Sequence, residues 1–488
     1  MEFRSKLYDN IQIRIMILHK HHYFYLFVFF TFFGITSVDL FSDGMFLDGI
    51  TYADISKNLA NGEGSFWKPH YTKGLFNEFY EHPPLAFGLQ SLTFMLLGDS
   101  IFTERIYSLF TFIIVGYLIV LIWKEITNNY KNGWIPLFLW ISMSIVPWAA
   151  ANNILENTMS IFVCMAFLFY WKSLKQYRFI WLISSGVCLS LGLLTKGFFC
   201  LYIWGVPFFI WFFLRKKSFS QMTIDTIVLI SASVIPLALL YFCIPDAQHN
   251  MTTYFNKQVI GSVQNIKTVE SRLEILYKFA QNAIIPITIS ALFILSSSIK
   301  KYETENRSKN LKGFLMFLAI VLSGIIPMMI SMKQSGFYIL TVYPLFAIGL
   351  AYFINPIVEP IIQNFKTNSK KIQIFKKITI VIIIVSTGLA LGQINRIGRD
   401  KVMIKITKEV VELVGKNHTI NICPEMYSIW SLHAYFSRYG NVSLDKNELN
   451  KHEYFLSLED CNESNLINNY TRIPSQLKKY KLYRLNTE

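Results

Sequence analysis

Hydrophobic residues in this chain come in long blocks separated by short polar gaps. The blocks run for about 15 to 22 residues, enough for a helix to approach or cross a hydrocarbon core. They lack the regular polar positions, at a spacing of two or of 3.6, that mark a half-exposed strand or helix. The pattern predicts helical spans at 23–41, 103–123, 134–151, 155–171, 179–194, 197–214, 223–244, 279–298, 313–331, 337–355 and 378–394. A further apolar stretch, Pro84–Leu97, is shorter, and as a helix it rises only about 21 Å, less than a bilayer core. Beyond residue 394 the pattern changes. Lys401–Val414 and Met426–Arg438 have helical spacing, whereas Thr419–Ile422, Tyr454–Leu458 and Lys481–Leu485 read as short strands.

The expectation is an all-α polytopic membrane protein with about eleven transmembrane helices and interfacial helices in its first outer loop. A small C-terminal extracytoplasmic α/β domain follows. Residues 1–394 form the membrane domain, with the first outer loop at 42–102, and 395–488 form the tail.

Composition agrees: 53% of the 488 residues are hydrophobic and 16% are charged, against about 25% charged in an ordinary soluble domain. The net charge of +15 would suit a nucleic-acid surface if it were clustered on a soluble face. Instead, the basic residues sit in the short gaps, as the positive-inside rule describes. If Pro84–Leu97 does not cross and the N-terminus is cytoplasmic, the inside segments hold 22 Lys and Arg in 83 residues and the outside segments 9 in 105. If it crosses, the bias reverses. The stretch is therefore read as interfacial or re-entrant, with the N-terminus cytoplasmic and the tail periplasmic or extracellular. Arg4, Lys6, Arg14 and Lys20 precede the first apolar run, and no small-residue cleavage site follows it, so that run is read as an uncleaved first span. Cys164, Cys188, Cys200 and Cys243 lie in apolar blocks and read as small hydrophobes. Cys423 and Cys461 lie in the tail, where sequence does not decide whether they pair.

Candidate chemistry concentrates in the first outer loop, which is too long for a simple connection. Asp48 precedes Gly49 close to the first span, and the pair suits either a general base or an ordinary turn. Tyr52–Ala60 shows helical spacing. The loop closes with Glu81-His82-Pro83-Pro84-Leu85, where two prolines present Glu81 and His82 just before an apolar helix. On the same side by the charge count lie Glu104 and Arg105, Asn152, Asn153 and Glu156, Thr195-Lys196-Gly197, and Lys333 with Tyr338 and Tyr343-Pro344. Any one of these could merely snorkel from a span end. Their common face makes them functional candidates together.

These motifs resemble those of the GT-C superfamily of polytopic glycosyltransferases, in particular the protein O-mannosyltransferases and the bacterial aminoarabinose transferases. The resemblance rests on Asp48-Gly49, Tyr52-Ala53-Asp54-Ile55, Glu81-His82-Pro83-Pro84-Leu85, Glu156, Thr195-Lys196-Gly197, and Lys333 with Tyr338–Pro344. It implies inverting transfer of a sugar from a polyprenyl-phosphate carrier to a lipid, glycan or protein acceptor on the outer face. Asp48, Glu81 and His82 would be catalytic. Arg105, Lys196, Lys333 and Tyr338 would hold the donor phosphate, and Tyr52, Asp54 and Glu156 would contact acceptor or sugar. Gly49 stands where the family has a second acid, Thr51 where the aminoarabinose enzymes have Arg, and His82 where the family has Lys. Asp48, Glu81, His82 and His70 offer metal ligands. A donor with one phosphate needs no metal, so no obligatory cofactor is expected and a divalent metal is not favoured. Partners are the lipid-linked donor, the acceptor and membrane lipids, with no nucleic acid. The competing readings are a transporter or lipid flippase, which would be expected to show inverted repeats or charges at mid-membrane, and an inactive scaffold.

Overall fold

The computed structural model describes residues 20–264, 266–297, 304–363, 369–447, 449–458 and 469–486, the last without 476 and 478. Arg4, Lys6, Arg14 and Cys461 lie outside the described residues. Among the described residues, eight helices are long and apolar enough to cross a membrane, and a bent pair makes nine. The first is α1 (Lys20–Leu40), followed in the next loop by α2 (Leu47–Ala60) and α3 (Leu85–Leu97) and then by the 25-residue α4 (Thr103–Thr127).

Two of the expected spans depart from straight apolar helices. Residues 134–151 are α5 (Trp134–Ile141) and α6 (Ile145–Ala151), bent by 81° at their junction. The break is held by Asn282, whose side-chain oxygen accepts from Ser144 Oγ at 2.9 Å and from the Ile145 amide at 3.0 Å. A helix start leaves amides without intrahelical partners, and this side chain supplies one. Residues 197–214 begin as the 3-10 helix Phe198–Gly205 and continue as a short α-helix, Val206–Leu214. Between them in sequence, α7 (Leu155–Ser173) buries Glu156, Asn157, Thr158 and Ser160 in its first turns. It is a full-length helix that falls short of the apolarity of a simple span. It packs beside α8 (Arg178–Lys196).

The tail folds as expected in outline. Helices Lys401–Val414 (here αC) and Trp430–Gly440 (αD) accompany a five-stranded sheet of order β2-β1-β3-β5-β4. Strand β1 (Thr419–Ile422) pairs in parallel with β2 (Ser443–Asp445) and β3 (Tyr454–Leu458). Strand β5 (Tyr480–Leu485) pairs antiparallel with β3 and with β4 (Tyr470–Arg472). The link from β1 to β2 runs through αD, the crossover that a parallel pair requires. Cys423 is disulfide-bonded.

This tail clamps the loop between α1 and α4. Arg438 pairs with Asp99 at 2.6 Å and with Glu104 at 2.8 Å, and Lys408 pairs with Asp43 at 2.6 Å. Tyr435, Ala434 and Ile404 pack against Met45 and Ile50 of the loop. Phe76 stacks on Trp430.

Candidate functional site

The site is built from helix ends. Asp48 lies in the first turn of α2, so Asp48-Gly49 begins a helix rather than a turn. Glu156 lies in the first turn of α7 and Lys196 in the last turn of α8. Carboxylates at N-termini and an ammonium at a C-terminus each complement the helix dipole. The α8 helix can end there because Gly197 takes φ +84°, a conformation that suits glycine at a helix C-terminus. A Cβ on Gly197 would also lie 2.0 Å from the Tyr254 hydroxyl.

Gly49, which departs from the two-acid pattern, has an equally local cause. A Cβ there would meet the Asn152 carbonyl oxygen at 2.0 Å, so α2 approaches the α6–α7 junction too closely for any side chain. The two asparagines at that junction hold the approach: Asn152 Oδ1 accepts from the Phe46 amide at 2.9 Å, and Asn153 Nδ2 donates to the Gly49 carbonyl at 3.0 Å.

A cavity of 710 Å³ brings together Asp48, Tyr52, Glu81, His82, Lys196, Lys333 and Tyr338, seven of the ten residues expected from sequence. Its other wall is apolar and includes Phe198, Val259, Pro327, Met328 and Ile330. Phe198 and Ile330 in this wall are exposed, so the chain's own packing leaves part of the apolar surface uncovered. Glu156 joins the cluster through Lys196, whose Nζ is 2.5 Å from Glu156 Oε1. Both side chains are almost fully buried. The same ammonium lies 5.2 Å from the ring centres of Phe337 and Tyr338, a cation–π arrangement that favours keeping the charge.

Burial pushes the carboxyl groups of Asp48 and Glu81 above their ordinary range. Lys196 and Lys333 pull Asp48 back, and Lys333 does the same for Glu81 against repulsion from Asp48. Burial, then repulsion from Lys196 and Lys333, holds the His82 imidazole well below its ordinary value. His82 is therefore neutral near pH 7, with Nε2 3.0 Å from the Tyr52 hydroxyl.

Arg105 and Asp54 do not line this cavity. The Arg105 guanidinium donates to the backbone carbonyls of Asp39 and Gly44, tying α4 to the end of α1. Asp54 is ion-paired with Lys57, 2.8 Å away, and accepts from Ser437 of the tail. These contacts tie the loop to α1, α4 and the tail.

Sequence reading missed Gln258 and Gln334. Gln258 lines the cavity from the π-helix Phe255–Ile260 and accepts from Lys333 Nζ at 3.1 Å. Gln334 is buried and fixes the Lys333 turn, donating to the carbonyls of Arg272 and Ser331 and accepting from the Ile275 amide. Neither belonged to a recognisable motif, although π-turns often mark functional positions. Among the described residues, no group of three His, Cys, Asp or Glu is placed to hold a metal ion.

The site is thus a cluster of acids and lysines at one set of helix ends, beside an apolar wall. Residues 81–241 match the family model described as dolichyl-phosphate-mannose-protein mannosyltransferase. In fold the chain resembles ArnT from Cupriavidus metallidurans bound to undecaprenyl phosphate, with a TM-score of 0.64 and 12% identity over 94% of this chain and 97% of that one. The apo form of the same protein gives a TM-score of 0.61 at 12% identity over 92% of this chain and 95% of that one. Among curated relatives, the undecaprenyl phosphate-alpha-4-amino-4-deoxy-L-arabinose arabinosyl transferase of Wigglesworthia glossinidia brevipalpis is 24% identical over 36% of this chain and 32% of its own length. The second such enzyme of Proteus mirabilis (strain HI4320) is 23% identical over 39% of this chain and 34% of its own length. These alignments span about a third of the relatives' length.

Proposed function

We propose that this chain is a membrane glycosyltransferase that moves a sugar from a polyprenyl-phosphate carrier to a lipid, glycan or protein acceptor with inversion. The observation that carries the proposal is the cavity itself: two carboxyls, Asp48 and Glu81, face two ammonium groups, Lys196 and Lys333, beside an apolar wall that opens toward lipid. A polyprenyl tail fits the apolar wall, and its phosphate fits the lysines. The relatives named for undecaprenyl-phosphate aminoarabinose transfer support this reading.

In this mechanism Asp48 deprotonates or orients the acceptor, whose nucleophile attacks the anomeric carbon from the face opposite the phosphate. Its ionisable carboxyl, tuned upward by burial, suits a base working near neutral pH. The carbon–oxygen bond to phosphate breaks, and Lys333 and Lys196 stabilise the charge that develops on the departing lipid phosphate. Tyr338 donates a hydrogen bond there. Glu81 shares the base or acceptor-binding role, and neutral His82 orients Tyr52 toward the sugar. Glu156 positions Lys196. No step uses a metal.

The same reading takes eleven membrane crossings, an N-terminus in the cytoplasm and α3 lying along the outer interface. Residues 395–488 then form a separate outer domain and 1–394 the membrane domain of an inner-membrane protein.

The test is transfer from a synthetic polyprenyl-phosphate sugar in proteoliposomes. Asp48→Asn is expected to reduce turnover by at least a hundredfold, since a positioned base contributes on that order or more, while the protein still inserts and folds. Full turnover in that variant would remove Asp48 from the mechanism. Uptake of lipid or solute without any transfer would favour a transporter.

A further inference from the structure

A second cavity, of 680 Å³, opens at the opposite end of the helices. The helix Thr304–Ile325 links the two: Ser323 lines the transfer cavity and Lys309 lines this one. Fourteen residues of helix separate them by about 21 Å. The floor is apolar, with Met316, Phe317 and Trp171 all buried. The rim carries Arg215, Lys216, Lys309 and Lys312.

Four features distinguish this rim from ordinary snorkelling lysines. None of its four cations makes an ion pair among the described residues. Glu125, on neighbouring α4, is already held by Lys175 at 2.7 Å. The Lys216 ammonium lies 4.5 Å from the Trp171 ring centre, which turns it onto the cavity wall. Burial, then repulsion from Lys175 and Lys309, holds it below its ordinary range. Four positive charges that make no ion pair among the described residues, set around an apolar floor, leave room for a ligand with an anionic head and an apolar body.

We propose that this cavity binds the phosphate headgroup of an anionic phospholipid from the leaflet opposite the transfer site. The lysines and Arg215 hold the phosphate. The floor takes the glycerol and first methylenes. Basic pockets between membrane helices are suited to this chemistry. An inorganic anion would use the rim and leave the floor unfilled, so the lipid is the better match. The proposal stands apart from the transfer reading.

The test is native mass spectrometry of the delipidated full chain, titrated separately with phosphatidylglycerol, phosphatidylcholine and inorganic phosphate. Phosphatidylglycerol is expected to bind at least tenfold tighter than phosphatidylcholine. In Lys216→Gln/Lys309→Gln/Lys312→Gln that preference should fall roughly tenfold or more, and in Lys309→Arg/Lys312→Arg it should persist. Equal binding of the two lipids by the wild type would overturn the proposal without any variant. So would full preference in the triple-Gln protein, or displacement of phosphatidylglycerol by equimolar inorganic phosphate.

Discussion

Asp48 and Glu81 are held in tension between burial, which favours their neutral forms, and two lysines, which favour ionisation. For a carboxylate base, turnover falls as pH drops through the group's pKa in the folded protein. Because burial raises both groups, the acidic limb of kcat should sit above the ordinary carboxylate value of about 4. Lys333 lowers both, so Lys333→Gln should move the limb to still higher pH, apart from its effect on the rate. A kcat profile measured in proteoliposomes from pH 4 to 8 checks this. An unmoved limb would mean that Lys333 does not face the titrating base. His82 enters differently. Held well below its ordinary value and bonded to Tyr52, it can pass or accept a hydrogen bond but adds no positive charge to the phosphate side near neutral pH. The lysine expected by family pattern at that position would have added a third ammonium, so the substitution changes the site's charge as well as its shape.

At the scale of elements, the bent segment 134–151 shows how a side chain on one helix shapes another. Asn282→Ala would leave the Ile145 amide and Ser144 hydroxyl without their acceptor. A lost cap of this kind costs about 1–2 kcal/mol, to be read as a lower midpoint in thermal unfolding of the detergent-solubilised protein. No change would mean that another group satisfies the break. The bend was illegible in sequence because both halves are apolar and the residue that stabilises it lies about 140 positions away. The 3-10 start at Phe198 was hidden for a related reason, since hydropathy reports length and not helix type. The long spans were legible because their apolar runs are uninterrupted, and strands β1 and β3 as short apolar-rich runs between polar segments. Strands β2 and β4, three residues each, are too short to carry a period. Asp48, Glu81 and Lys196 were legible as charges beside prolines or glycines at the ends of apolar blocks. Asp54 and Arg105 were legible only as charges, with no adjacent proline or glycine, and they serve the loop's own bonding: sequence shows that a charge is present and not which partner it meets.

Across the whole molecule, part of what holds the Asp48 loop comes from the tail. Arg438 is buried between Glu104 and Asp99, and its guanidinium is held protonated by these carboxylates despite its burial. Arg438→Gln would leave Glu104 buried without its cation, at a cost of about 3–5 kcal/mol. Transfer activity should fall together with thermal stability, and limited proteolysis should cut the first outer loop. Lost stability with full activity in the surviving fraction would show that the tail stabilises the loop without shaping the site. The bonds that do this join residues far apart in order: Asp43 with Lys408, Asp54 with Ser437, Glu104 with Arg438. Such long-range pairings are slow to form, because the chain between them must be closed first. A ribosome makes the Asp48 loop early and αD near the end, so for most of synthesis the loop has no clamp. The newborn chain therefore passes through a stage in which its helices are inserted and its acids are exposed but unplaced. On the proposed function, competence for transfer would follow only once αD docks.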